Sequence, residues 1–437
     1  MTSMNCVFDA VVVGGGPAGS VTALKLAEDG FEVVLIEKNS ENKFWYKPSD
    51  TLSPSYIEKI LDVELTVEKE FENVELYDHT GKLIAEFDAN ILALDRMAIG
   101  KQYYELLKDA GVKVLTKTEV KSTFLRENPK ATPRYVACLG KFHEKLTARL
   151  IIDASGLESI IRQELSQIDT TFQIKSSDLM YTLLDEFFVE SADLDQNKIA
   201  IILDEDIAPL GYIWITPLEK IWRIGIAMRK SRKYSLQLPF RMFNLRKLFR
   251  IKGNIARRTF SNLPARRPLE KFVHDGVVEI GEAAFQCAPM YGGGIYGAIK
   301  IARELHGEIK KALDSEEYPT IRELWSCEYR LTNHLFLTSA LELTFLYLNR
   351  LDEKARKELI ERIPATLKNR ASLIENLFIA FQDASPELAK YIEDVMNSVI
   401  KLEEYYSKFP KYSEMNTWMK NLEKDVFSSW LKALEII

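Results

Sequence analysis

Gly14, Gly16 and Gly19 in the run Gly14-Gly15-Gly16-Pro17-Ala18-Gly19, with Glu37 coming 18 residues after Gly19, are the first residues whose types and spacing point to chemistry. Glycine at positions 14, 16 and 19 permits a tight turn, lets backbone amides approach a pyrophosphate, and brings a helix close against a strand. The amides that open the helix, from Ala18 onward behind Pro17, add the positive end of its dipole. Glu37, followed by Lys38, is placed to accept hydrogen bonds from ribose hydroxyls, and its charge disfavours a 2′-phosphate. The chemistry is dinucleotide binding. Asp153-Ala154-Ser155-Gly156 sets an acid beside a glycine, an arrangement that suits a sugar-like hydroxyl chain. Gly281-Glu282-Ala283-Ala284 precedes Pro289 and a second glycine-rich run, Gly292-Gly293-Gly294-Ile295, whose amides suit another anionic or carbonyl group.

These motifs work only at strand ends and helix starts, and the flanking residues predict both. FDAVVV before Gly14 is a short continuous apolar strand, SVTALKLAEDG a helix stopped by Gly30, and FEVVLIE the next strand. Ile91 to Leu115 predicts a short strand, a helix over Ile99–Ala110 and another strand. Leu150 to Ile152 is a strand running into the Asp153 turn. Between about 165 and 230 the period changes to two: KIAIILDED, GYIWITP and IWRIGIAM predict an antiparallel sheet. GVVEIG returns to an α/β pattern ahead of Gly281, and a long helix follows. From about 317 to 437 the spacing is helical, as in Leu373, Leu377 and Phe381.

The chain has 437 residues, 46% hydrophobic and 28% charged, with a net charge of −6. This is the composition of an ordinary globular protein and excludes disordered or fibrous classes. An acidic balance argues against nucleic acid as a partner. The four cysteines are far apart with no CxxC pair, and the five histidines show no metal spacing, so no metal is expected. No apolar run is long enough to span a membrane or to form a secretion signal, and a cytoplasmic protein is expected.

The three turn motifs in this order, with a β-rich insertion between the second and third, resemble the flavoprotein superfamily of aromatic hydroxylases, halogenases and prenyl reductases. Within it the chain is most similar to the geranylgeranyl reductase family, especially archaeal members acting on isoprenoid lipids. Asp95-Arg96 ahead of a helix, Tyr212-Ile213-Trp214-Ile215-Thr216-Pro217 with Gly225-x-Ala227, and Ala265-Arg266-Arg267-Pro268-Leu269 leading to Gly281 carry the likeness from Asp9 to about Ala312. The resemblance implies an α/β fold of the p-hydroxybenzoate hydroxylase type: a Rossmann-like FAD-binding domain (1–55, 91–160, 265–315), a substrate-binding β-rich domain (56–90, 161–264) and a C-terminal helical region (316–437). It implies FAD as cofactor, contacted by Gly14, Gly16, Pro17, Ala18, Gly19, Glu37, Lys38, Arg96, Val120, Asp153, Gly156, Gly281, Glu282, Gly293, Gly294 and Ile295. Tyr212, Trp214, Pro217 and Tyr291 would line the substrate site. The implied reaction saturates prenyl C=C bonds, with hydride from reduced flavin N5 to one carbon and a proton to the other, electrons coming from a ferredoxin or NAD(P)H.

The chain departs from the family pattern at three places. Lys47-Pro48-Ser49-Asp50 stands where relatives carry KPCGG, so a serine replaces the cysteine; Glu282 replaces an aspartate; and Thr216 replaces a phenylalanine. Serine is far less acidic and polarizable than a thiol. An aromatic monooxygenase or halogenase, or a flavin- and prenyl-lipid-binding paralogue without catalysis, is the alternative. Ser49 and Asp50 are the catalytic candidates.

Residues 229 to 258 hold eleven basic residues and no acid; removing those charges from the net −6 leaves −17 on the rest of the chain. Phe240, Phe243, Leu248 and Ile251 fall at near-helical spacing among the cations. A basic amphipathic helix suits a peripheral contact with the inner face of an anionic membrane or the phosphate end of a lipid; a solvated helix over the β insertion is the plain alternative. If Ser49 and Asp50 take part in catalysis, Ser49→Ala and Asp50→Ala should bind FAD normally and lose turnover. Unchanged turnover would remove both from the mechanism.

Overall fold

Val7–Val13 forms the first strand, β1, of a parallel sheet because it can be buried on both faces: Ala10, Val11 and Val12 are wholly buried. The computed structural model describes residues 7–47, 51–123, 134–140, 145–204, 207–208, 211–219, 221–229, 238–269, 271–287, 293–331 and 354–355. Ser49, Asp50, Tyr291 and the helices read over 332–437, apart from 354–355, lie outside the described residues.

Two eight-stranded sheets organise the described residues. The first holds β1, β2 (Val33–Ile36), β6 (Lys113–Leu115), β7 (Thr118–Ser122), β8 (Arg134–Gly140), β9 (Lys145–Asp153), β15 (Val273–His274) and β16 (Val277–Glu279). Its order is β15-β16-β9-β1-β2-β6, parallel from β16 to β6, and β8 pairs antiparallel with both β7 and β9. The register Val13↔Asp153 and Glu279↔Asp153 lines up the ends of β1, β9 and β16, so the three turn motifs leave the sheet side by side.

Helices cover both faces of this sheet. On one face α1 (Pro17–Glu28), α2 (Arg96–Asp109), α5 (Ile295–Ser315) and α6 (Ile321–Arg330) contribute Leu24, Tyr103, Leu305 and Leu324 to one core. On the other, α3 (Ile160–Leu165) adds Ile161 and Leu165 to a second core with Val11 and Ile151. Helix α1 has Pro17 at its start, where a missing N–H costs nothing, and Gly30 just beyond its end has φ +90°. Helix α2 begins at Arg96, three residues before the start expected at Ile99. Asp95 is the reason: its carboxylate accepts from Ala98 N at 2.9 Å and caps the first turn.

The second sheet has the order β14-β10-β13-β12-β11-β4-β5-β3. Its strands are β3 (Leu52–Pro54), β4 (Val67–Tyr77), β5 (Leu83–Leu94), β10 (Leu179–Ser191), β11 (Lys198–Ile202), β12 (Tyr212–Pro217), β13 (Trp222–Arg229) and β14 (Lys252–Pro264). All pairings are antiparallel except β11 with β4. The short strand expected from Ile91 is the end of β5, so the boundary drawn at 91 falls inside a strand of this second sheet. Side chains alternate along each strand, giving the sheet two distinct faces. Ile213, Ile215, Ile224 and Ile226 form one face with Leu183 and Phe187; Trp214, Ala227, Met180 and Leu184 form the other.

Helix α4 (Leu238–Leu248) packs on the first of these faces. The residues it buries are Met242 and Leu245, followed by Phe249 and Ile251 beyond its end. This corrects the sequence reading, which placed Phe240 and Phe243 on the same apolar stripe as Ile251. Helical geometry turns both phenylalanines outward instead, 66% and 56% exposed.

Gly225 marks a close approach on the opposite face: a Cβ there would lie 2.0 Å from Trp214 Cζ2. Gly225→Ala should therefore overpack this layer and cost about 1–3 kcal/mol in a denaturant melt. An unchanged midpoint would show that Trp214 moves freely.

Candidate functional site

Gly14 leaves β1 with φ +104°, and its neighbours are packed so tightly that a Cβ would meet Ala154 O at 2.3 Å. A Cβ on Gly19 would meet Gly14 O at 1.9 Å, which brings α1 hard against the turn. Around Gly16, by contrast, nothing lies within 4 Å of a built Cβ, so the space in front of the α1 terminus is open. The glycine pattern thus closes two approaches on the protein side and leaves one open for a ligand. Glu37, buried at the end of β2, accepts from Gly15 N at 2.8 Å and from Asn39 N at 2.7 Å. It shapes the turn while each oxygen keeps a further lone pair. Lys38 beyond it is exposed. The Val120 side chain packs in the core with Val11 and Ile151, so only its backbone is available to a nucleotide.

The second turn meets the first at Ala154 and the third at Gly156. Asp153 is wholly buried; it accepts from Ser155 N at 3.0 Å and Ser155 Oγ at 2.6 Å, and from Ser159 Oγ. Its carboxylate is therefore spent on folding the turn rather than offered to a hydroxyl chain. Ser159 also caps α3, accepting from Arg162 N at 2.9 Å. Gly156, at φ +87°, leaves its open side toward Glu282, whose Oε2 is 3.9 Å from where a Cβ would stand.

Gly281, φ +68°, begins the third turn, and Gln286 Oε1 accepts from its N–H at 2.8 Å. A Cβ there would stand 3.1 Å from the Ala18 Cβ and 4.0 Å from the Ala298 Cβ. The N-termini of α1 and α5 therefore converge on one point. Neither has a side-chain cap or an acid in its first turn, although α2 and α3 are capped by Asp95 and Ser159. Two uncapped termini aimed together form a cradle for negative or carbonyl oxygens. Gly293, Gly294 and Ile295 begin α5 and are half-buried at this point.

Charged groups frame the cleft. Lys47 Nζ contacts both Glu282 oxygens, at 2.5 and 2.6 Å. The strap leading to Lys47 is held by Trp45, which takes a left-handed φ of +61°, stacks on Tyr103 with ring centroids 4.8 Å apart and donates from Nε1 to Ser20 Oγ at 2.9 Å. Arg96 at the start of α2 is half-buried, and desolvation lowers its pKa to about 10, against the opposing pull of Glu282. Arg223 and Arg257, on the Trp214 face of the second sheet, reach Thr51 and Tyr46 on either side of Lys47, which turns that face toward the cleft. Arg223 donates to Glu68 at 2.5 and 3.0 Å and to Thr51 Oγ1 at 3.2 Å, while Arg257 donates to Tyr46 Oη at 3.0 Å.

Tyr212 and Trp214 share this face, with ring centroids 5.6 Å apart. Pro217 does not: it is an odd number of residues along the strand, so it points to the opposite face, and its carbonyl accepts from Lys69 Nζ at 2.9 Å. Arg162 is the residue that sequence reading missed. Wholly within the core, it donates to Ala283 O at 2.6 Å and to Leu157 O, and lies over Phe285 at 5.5 Å. It ties the second turn to the third. Position 162 in a short helix carries no motif, and nothing in the local pattern marks it.

Beside Arg162, Glu279 is fully buried next to Asp153, and its pKa is raised well above the ordinary range by desolvation and by Asp153. Burial likewise pushes the Cys287 thiol well up, with Glu282 adding to the effect. Among the described residues no cluster of His, Cys, Asp and Glu is suited to a metal, and no helix is long and apolar enough to cross a membrane.

Comparison with known proteins fits this geometry. Residues 12–42 match a family of NAD(P)-binding Rossmann-like domains. A digeranylgeranylglycerophospholipid reductase from Methanosarcina acetivorans is 24% identical over 411 residues, covering 89% of this chain and 99% of that protein. The enzyme of that name numbered 1 in Methanococcoides burtonii is 28% identical over 299 residues, 67% of this chain and 72% of the relative. The structure of a geranylgeranyl bacteriochlorophyll reductase-like protein from Thermoplasma acidophilum superposes with a TM-score of 0.77 at 21% identity, covering 89% of this chain and 99% of that one. A p-nitrophenol 4-monooxygenase from Pseudomonas putida superposes with a TM-score of 0.64 at 17% identity, over 87% of this chain and 99% of the other.

Glu279 makes stability depend on pH. An acid whose folded-state pKa is raised ionises earlier in the unfolded chain, so the folded state is favoured below the ordinary carboxyl value of 4.5 and loses ground as pH rises above it. Melting temperatures measured from pH 5 upward should fall more steeply for the native protein than for Glu279→Gln. Parallel profiles would show that Glu279 is not buried in its acid form.

Proposed function

The chain belongs to the geranylgeranyl reductase family, and from that membership we propose that it saturates C=C bonds in the prenyl chains of an isoprenoid lipid, using FAD. The observation that carries the reading is the convergence of two uncapped helix N-termini and three glycine turns at one end of the first sheet, facing an aromatic wall on the second. The residues fit a flavin dinucleotide. Gly16, Ala18 and Gly19, with Gly294 and Ile295, would offer backbone amides, Glu37 its spare lone pairs to a ribose, and Glu282 and Arg96 the polar frame.

Bound FAD would supply the hydride, delivered from reduced N5. The remaining work falls to the chain. An isolated alkene is poorly polarised, so rate has to come from holding it close and excluding water. Tyr212, Trp214, Leu184 and Leu263, backed by the buried Met180 and Ala227, would supply an apolar wall for that purpose. Glu186, Arg223 and Arg257 lie farther along the same face, pairing with one another and with Glu68, and mark the end suited to a polar head group. Asp50 and Tyr291 are the proposed proton relays, with Ser49 beside Asp50 at the position of the family's cysteine. Electrons would come from a ferredoxin or a nicotinamide.

Anaerobic reduction with dithionite followed by geranylgeranyl-bearing phospholipid tests the reading directly. The flavin spectrum should return to the oxidised form, and mass spectrometry should show two hydrogens added per bond. A flavin that stays reduced until oxygen enters would overturn the proposal and direct attention to aromatic hydroxylation.

A further inference from the structure

We propose that the outer face of the second sheet, where α4 lies, docks this protein on an anionic lipid bilayer. The helix uses Met242 and Leu245 to pack on the sheet, and Phe240, Phe243, Asn244 and Lys247 form the exposed stripe opposite. Two phenylalanines, 66% and 56% exposed, have no role in that packing. The edge strand β14 adds to the same side. Ile255 is in register with Phe187 and Phe260 with Leu183, both of which point toward α4, so the exposed Ile255 (40%) and Phe260 (57%) flank the helix.

Cations surround these apolar side chains. Lys247, Arg250 and Lys252 are exposed, and Arg246 lies over Phe187 at 4.8 Å. Acids on neighbouring strands match only part of this charge: Asp185 is buried and bound to Arg258 through two contacts of 2.7 Å, and Asp193 pairs with Arg250 at 3.3 Å. Among the described residues Arg246, Lys247, Arg250 and Lys252 thus gather positive charge on this side, in a chain of net charge −6. Exposed aromatics set among cations are the composition of a surface that inserts shallowly among anionic head groups. An acidic redox protein would match the charge equally well. It would, however, be separated from the flavin cleft by the whole sheet, because Trp214 and Arg223 face the cleft from the other side. A charge-steered redox encounter also has no use for four exposed apolar side chains, whereas shallow insertion into a bilayer does, so the composition of the surface favours lipid.

The test is co-sedimentation of the full chain with vesicles of phosphatidylcholine alone or mixed with phosphatidylglycerol, at low and high salt. Binding should require phosphatidylglycerol and weaken with salt. Phe240→Ser with Phe243→Ser should weaken it about tenfold or more, and Lys247→Glu with Lys252→Glu should remove the preference for anionic vesicles. Flavin reoxidation on detergent-dispersed lipid should stay at the native rate in both variants. That measurement separates this proposal from the reductase reading, since a failure of reoxidation in every form concerns the latter alone. Absent binding, binding indifferent to anionic lipid, or full binding by both variants would overturn the docking surface. So would retention of an acidic ferredoxin, lost on substituting the phenylalanines, without vesicle binding.

Discussion

Arg162 carries a positive charge into the interior of the first layer, and the turns behind the cleft are arranged around it. A buried guanidinium is costly unless its donors are satisfied and an opposite charge lies near. Here the donors meet carbonyls of Leu157 and Ala283, one from each of two turns, while Asp153 and Glu279 stand close by on adjacent strands. Two carboxyls side by side cannot both ionise cheaply, and Glu279 is the one driven toward its acid form. The consequence is geometric. The second and third turns are locked to each other, and Gly14 and Gly281 then bring the first turn and both helix termini to the same place.

The second sheet divides its labour by the period of two. One set of side chains is committed to the α4 core, and the alternate set faces the cleft. Along the cleft face the chemistry changes from the Tyr212 and Trp214 aromatics to the ion pairs of Arg223, Glu186 and Arg257. An apolar stretch ending in satisfied charges is the polarity of a lipid with a head group. The ion pairs also join the layers, because Arg223 reaches Thr51 and Arg257 reaches Tyr46.

Glu282 ties the third turn to the strap on the opposite side of the cleft. The Glu282 carboxylate lies across from Lys47, and the strap bearing Lys47 is positioned by the left-handed Trp45. Gly100 in α2 allows that strap to lie close, since a Cβ there would meet Phe44 O at 2.5 Å. The charged frame of the cleft thus depends on aromatic stacking several residues away from it.

Local chemistry made much of this legible in the residues themselves. Glycine spacing, the apolar run of β1 and the alternation of β11 to β13 each reflect backbone geometry that short segments determine alone, so the dinucleotide turn, the α/β order and the antiparallel insertion were readable. The start of α2 is equally local, but periodicity alone puts it at Ile99, because capping by Asp95 is read from one side chain rather than from a period. What the tertiary structure decided is which way side chains face and what they meet. Pro217 turns from the cleft, Asp153 is consumed by its own turn, Phe240 and Phe243 point outward, and Arg162 becomes the staple of two turns. Each of these depends on contacts between residues far apart in the chain, and pairing registers and buried charge balance come into being only when the layers close.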